Sequence, residues 1–244
     1  MEGNVVWRSR VRLVDEVAAE LRERIYAGAY APGAKLRQEE LAEDLQVSRT
    51  PLREALRVLE SEGLVVNEPG RGVRVVMADL PRFLAAYRLR EVVDGLAARL
   101  AAESDDADAR AGISALIEHQ ERALEPWDPR EYTRTNVDFH TRIMEIGGNE
   151  YVLAEAPIVR MTSQVFTPIA FLHFEAARTA VDQHRGIAAA IADGEGDAAE
   201  RLARAHIRTT IERMAGHDAR AGRDTGTGRG DGTGHDPDKA EAHG

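Results

Sequence analysis

Apolar positions in the first third of the chain recur at helical spacing and then switch to alternation. Arg12 to Gly28 carries Leu13, Val14, Val17, Leu21 and Ile25, a period that predicts a helix ending at Ala27-Gly28. Pro32-Gly33 marks a turn, and Gln38 to Leu45 predicts a short second helix with Leu41, Ala42 and Leu45 facing inward. Gln46-Val47-Ser48 leads into a third helix that stops at Gly63. Leu52, Ala55, Leu56 and Leu59 lie on one side of it, and Arg49, Arg53 and Arg57, four residues apart, line the other. Either Ser48 or Thr50 can cap this helix, and Pro51 falls in its first turn, where a missing N–H is harmless. Beyond Gly63 the period drops to two, over Leu64–Val66 and Val73–Val76, which predicts a β-hairpin with Arg71 at its tip. Three helices and a two-stranded wing make a winged helix-turn-helix. A helix anchored by its apolar face with three guanidinium groups outward suits entry into a groove of DNA.

From Asp79 to about Gly216 the pattern is helical throughout, in six stretches near 79–103, 107–125, 129–147, 149–172, 174–193 and 196–215. Ser104-Asp-Asp, Pro126-Trp-Asp-Pro129, Gly147-Gly-Asn149 and Asp193-Gly-Glu-Gly196 separate them. Pro157 and Pro168 fall inside the fourth stretch and predict a kink or break. The expected fold is therefore mostly α: a winged helix-turn-helix over residues 8–77, then an all-α antiparallel bundle over 79–216. Residues 217–244 lose all periodicity and read as a disordered tail, with His217, His235 and His243 solvated.

Composition narrows the functional classes. There is no cysteine, which removes disulfides and zinc-thiolate sites. No apolar run approaches a membrane span, and Met-Glu-Gly-Asn lacks the features of a signal peptide, so the expected location is the cytoplasm. The net charge of -10 argues at first against nucleic acid. Residues 1–77 hold 12 basic and 13 acidic side chains, however, and the remainder holds 20 and 29. DNA binding would rest on where arginines stand and not on bulk charge.

The strings Ala29-Tyr-Ala-Pro-Gly-Ala-Lys-Leu, Glu40-Leu-Ala-Glu-Asp-Leu, Val47-Ser-Arg-Thr-Pro-Leu-Arg-Glu-Ala-Leu and Glu62-Gly-Leu-Val, with Gly70-Arg-Gly72, resemble the DNA-binding domain of the GntR family of bacterial transcription regulators. The resemblance implies that Arg49 and Arg53 read bases in double-stranded DNA. It implies that Ser48, Thr50 and Arg57 belong to the same surface, touching backbone or nearby bases, and that the Gly70, Arg71, Gly72 wing tip reaches the minor groove. Some members carry a basic residue early in the second helix. This chain has Glu39 there, so no base contact is expected from that position.

In the second region His140, His184 and His206 stand on three different helices, and Asn136 lies one turn before His140 on the same face. Scattered histidines are more often core or surface residues than ligands. Asn136-Val-Asp-Phe-His140, Asn149-Glu-Tyr, Gln183-His-Arg-Gly-Ile and Ala205-His-Ile, however, resemble the FCD ligand-binding domain of the FadR-like subfamily. That resemblance implies a divalent metal held by one carboxylate and three histidines. Here Asn136 replaces the carboxylate, and Asp138, some 200° round the helix from His140, points away. Asn136 would be a weak, neutral ligand, which favours an anionic effector on the open positions of zinc, nickel or a similar ion. Arg90 is the leading candidate cation for a small carboxylate, its alternative being an intrahelical pair with Asp94; Arg160 is a second candidate. His119 and His173 carry no motif and read as structural or surface residues. The expected function is a homodimeric, ligand-responsive regulator, most simply a repressor, on a palindromic operator. A metal sensor and a metal-dependent enzyme are the alternatives.

Overall fold

The computed structural model describes residues 3–166 and 172–224, with side chains described over 11–166 and 172–216. The N-terminal part runs α1 (Gly3–Tyr26), β1 (Lys35–Leu36), α2 (Gln38–Asp44), α3 (Arg49–Ser61), β2 (Val65–Glu68) and β3 (Gly72–Val75). α1 begins earlier than the apolar pattern indicated, at Gly3. Ser48, in extended conformation, occupies the N-cap position of α3 without a side-chain hydrogen bond, and Pro51 is buried in the first turn. The expected hairpin pairs Val65 with Val75 and Glu68 with Gly72. Gly70 and Gly72 bend its tip at φ +76° and +83°, where a side chain would be strained. β1 adds a third antiparallel strand, Leu36 opposite Val73. Two residues are too few for alternation to reveal it. Leu21 and Ile25 of α1 meet Leu52 and Leu59 of α3 and Val75 of β3 in a fully buried core, so the apolar stripe of α3 is what aims its arginines outward.

The second region contains α4 (Leu80–Ala102), α5 (Ala107–Gly112), α6 (Ser114–Leu124), α7 (Pro129–Gly147), α8 (Glu150–Leu153), α9 (Ala156–Arg160), a π-helical segment (Met161–Phe166), α10 (Phe174–Ala192) and α11 (Gly196–Asp224). Asp79 caps α4 by accepting from the Arg82 N–H (2.8 Å), and Asp128 caps α7 by accepting from Arg130 and Glu131. α4 packs along α11 and against α7 and α10. Its buried Ala97, Ala98 and Ala101 let neighbours approach, with Phe139, Met144, Ile187 and Ile191 filling the core.

Three expectations change. The stretch 107–125 is two helices, divided where the Ile113 N–H donates to the Arg110 carbonyl only three residues back (3.3 Å). Gly112 weakens the helix there and Ile113, fully buried, is drawn into the core. Within the stretch 149–172 the described residues to Phe166 form α8, α9 and the π-helical segment. Pro157 lies in the first turn of α9, where proline is tolerated, and could not have continued α8; Pro168 lies outside the described residues. Finally, α11 continues to Asp224, past the expected boundary at residue 217. The alanines and arginines after Gly216 are strong helix formers and outweigh its glycines. Residues 225–244, with His235 and His243, lie outside the described residues.

The two regions share apolar contacts. Phe83 and Tyr87 of α4, Val165 and Phe166 of the π-helical segment, and Ile207 of α11 join the same buried cluster as α1 and α3. Arg160 forms an ion pair with Glu23 of α1 (2.7 Å) and stacks its guanidinium 4.1 Å from the Tyr26 ring centre.

Candidate metal centre and nucleic-acid interface

α7, α10 and α11 bring His140, His184 and His206 together, all buried, with one ring nitrogen of each lying within 4.8 Å of the others. Every ring is oriented from behind. The Nδ1 of His140 lies 3.1 Å from Asp94 Oδ2, that of His184 2.8 Å from Gln120 Oε1, and that of His206 2.8 Å from Gln183 Oε1. Those three oxygens can only accept, so each Nδ1 carries the proton and each Nε2 presents a lone pair. The His184 and His206 Nε2 atoms are 3.1 Å apart, and the His140 Nε2 is buried with no hydrogen-bond partner.

Three inward lone pairs without a hydrogen between them form an unsatisfied arrangement that a bound cation would relieve. Burial lowers the pKa of His140, and the Arg90 charge adds to this against Asp94. His184 and His206 fall well below the ordinary imidazole range, through burial first and then through neighbouring rings and Arg90. Neutral imidazole is the state a metal needs. Burial alone would raise the Asp94 pKa; the Arg90 charge and then the His140 hydrogen bond outweigh it and hold the carboxyl well below its usual range. The donor set therefore fits a divalent ion with open positions.

Beside the histidines is a cavity of about 60 Å³ whose lining includes His140, His206, Asn136, Arg90, Ser163 and Arg213. Asn136 is half-buried, and its amide nitrogen is within 3.3 Å of Ser163 Oγ, leaving its carbonyl oxygen as the atom it could offer. Asp138 pairs with Arg134 (2.8 Å), away from the rings. Arg90 lines the cavity, but its charge is committed: it donates to Asp94 (2.6 Å) and to Thr162 Oγ1 (3.1 Å) at 2% exposure. The intrahelical pair with Asp94 is thus formed, and Arg90 reaches the cavity only as part of its lining. Arg160 does not reach this cavity; α9 turns it toward Glu23 and Tyr26. Sequence reasoning missed Gln120, Asp94 as an orienting group, and Arg213. Gln120 had a signal: it continues the Ile113, Ile117 stripe of α6, a polar residue at a core position.

On the other surface Ser48, Arg49, Thr50, Arg53, Arg57, Gly70 and Arg71 are exposed and Gly72 half-buried. Arg53 and Arg57 line a cleft between α3 and the wing, with Gln38 and Asn67 opposite. Among the described residues no ion pair holds Arg53, Arg57 or Arg71. Arg49 is held by Glu39 at 2.7 Å, both side chains being largely exposed.

Residues 13–75 match the model of bacterial regulatory proteins of the gntR family, and residues 85–209 match the FCD domain. An uncharacterized HTH-type transcriptional regulator in an unstable DNA locus of Streptomyces ambofaciens is 31% identical over 206 residues, 83% of this chain and 86% of that one. The gluconate operon transcriptional repressor of Bacillus licheniformis is 29% identical over 147 residues, 60% of each chain. Among solved structures, E. coli McbR/YncC superposes with a TM-score of 0.72 at 22% identity, covering 84% of this chain and 98% of that one. That likeness concerns the fold.

Proposed function

The chain belongs to the GntR family of bacterial regulatory proteins and carries an FCD domain, and from that premise we propose that it is a repressor released from its operator by a small carboxylate bound at a divalent metal. It is a transcription regulator and not an enzyme. Residues 8–77 are the DNA-binding unit and 79–216 the effector-binding and dimerisation unit. The repressor assignment draws on the name of the Bacillus licheniformis relative, which also refers to an acid, gluconate.

The observation that carries the metal assignment is the set of three inward Nε2 lone pairs with their Nδ1 atoms already engaged. His140, His184 and His206 would hold the ion, zinc or nickel, with Asn136 as a weak fourth ligand. When bound, the ion supplies a Lewis-acidic anchor for a carboxylate. Asp94, Gln120 and Gln183 keep the rings in the ligating tautomer. On the DNA side Arg49 and Arg53 read base edges, Arg57, Thr50 and Ser48 hold the backbone, and the Gly70–Gly72 wing tip enters the minor groove.

Coupling between the two sites has a physical route. Ser163 of the π-helical segment lines the cavity, and Thr162 receives Arg90, while Val165 and Phe166 pack into the winged-helix core. A ligand that binds one arrangement of this segment more tightly shifts the equilibrium by that difference. A homodimer suits a palindromic site, and Leu89, Val92 and Leu96 supply an exposed apolar stripe along α4 for the contact. A metal-sensor reading is favoured by the burial of the histidines. It differs in one respect: the metal alone, with no acid present, would change operator binding. Equilibrium dialysis with zinc and with nickel tests the site. One ion per chain, lost in His140→Ala, His184→Ala and His206→Ala, supports it; uptake unchanged in all three variants contradicts it.

A further inference from the structure

The residue singled out in sequence as the effector's cation, Arg90, is 2% exposed and neutralised by Asp94 at 2.6 Å. Among the described residues the cavity lining holds one other arginine, Arg213, and no carboxylate. Arg213 is exposed, and among the described residues no ion pair or hydrogen bond occupies its guanidinium. Its charge reaches the cavity, where it favours the ionised Tyr132 hydroxyl against the dominant effect of burial.

Its place on α11 is also informative. His206, Thr210 and Arg213 all line the cavity. Steps of four and then three residues turn the helix by about 400° and 700°, so the three side chains share one face, spread over roughly 10 Å of axis. His206 stands at the metal end, Thr210 between, and Arg213 at the outer end. Resting on the metal-carboxylate reading above, we infer that the effector is a small acid with two anionic groups, a dicarboxylate, and that Arg213 is the residue that binds the outer one. The inner carboxylate goes to the metal end, where Arg90 adds positive potential though its charge is already paired with Asp94. The outer carboxylate finds Arg213, whose guanidinium has no partner among the described residues and can receive it through two parallel N–H donors. A one-headed acid gains only the inner contact.

The test is calorimetry on zinc-loaded full chain with succinate and with acetate as probes, using the unaltered protein, Arg213→Gln and Arg213→Lys. A charge-assisted contact predicts succinate binding roughly tenfold or more tighter than acetate. Arg213→Gln should bring succinate down to the acetate level, with acetate affinity and zinc stoichiometry unchanged, and Arg213→Lys should recover part of the difference. Because Arg213 is exposed and unpaired, neither variant should lower the unfolding temperature. Unaltered protein that binds acetate and succinate equally overturns the assignment of Arg213 and leaves the metal-carboxylate reading standing. So does an Arg213→Gln variant that keeps its succinate preference. Zinc-loaded protein that binds neither acid overturns both.

Discussion

The proposed DNA-facing surface and the proposed metal pocket are built on opposite principles. On α3 the functional side chains are exposed, loosely held, and set by a single amphipathic helix. In the pocket they are buried, come from α4, α6, α7, α10 and α11, and each imidazole has its own acceptor. An exposed arginine keeps its rotamer freedom until phosphate or base captures it, and salt screens its attraction. A buried imidazole has had its tautomer and direction fixed during folding. The first arrangement suits a target searched for along a polymer, the second a small ligand that must be held in one geometry.

If that contrast is right, the largest effect should follow from removing a buried ligand. His184→Ala should abolish metal uptake, a loss beyond the roughly 100-fold typical of outer-shell changes, and with it the response to acid. Metal analysis of purified protein reads this, and an unchanged metal content would break the contrast at its strongest point. Next is the support behind the ring. Gln120→Ala should lower zinc affinity about 10–100-fold by freeing the His184 ring, measured against a competing chelator. If affinity is unchanged, preorganisation does not matter there.

On the DNA surface single residues should matter in proportion to what they read. Arg53→Ala should cost about 1–3 kcal/mol and relax preference at one base pair in a binding-site selection, whereas Arg57→Ala should weaken all duplexes alike. Smallest is Glu39→Gln. The Glu39–Arg49 pair is largely exposed, so releasing Arg49 should change affinity by no more than about 1 kcal/mol, in the direction of tighter binding, as a carboxylate leaves the DNA-facing surface. Weaker binding in a filter or gel-shift assay would mean that Glu39 orients Arg49 and does not merely restrain it.

The same contrast explains how much was legible in the chain. Arg49, Arg53 and Arg57 declare themselves because one helical period places them, and the hairpin follows from alternation plus glycine. His140, His184 and His206 were legible as a set only through family resemblance, since no local period relates residues that far apart in sequence. Their acceptors were harder still. Gln120 pairs with a ring 64 positions away, and Asp94 was read only as a partner for Arg90 when its second role lies toward His140. Arg160 lies away from the cavity because the two prolines of the fourth stretch predict a kink or break without saying which way the chain turns afterwards. Once Pro157 divides it, Arg160 faces α1. Two-residue β1 and the continuation of α11 to Asp224 had no pattern strong enough to announce them.

The central claim is that the two unlike regions are thermodynamically linked, and one measurement addresses it directly. Zinc-loaded protein, free and saturated with a duplex obtained by binding-site selection, is titrated with small acids beginning with acetate, succinate and gluconate. Linkage requires that an acid which weakens DNA binding by some factor be weakened by DNA through the same factor. The account predicts affinity for the active acid lower on DNA-bound protein by a factor equal to its effect on the duplex. Equal affinity in the free and bound states would contradict it, however tightly the acid binds.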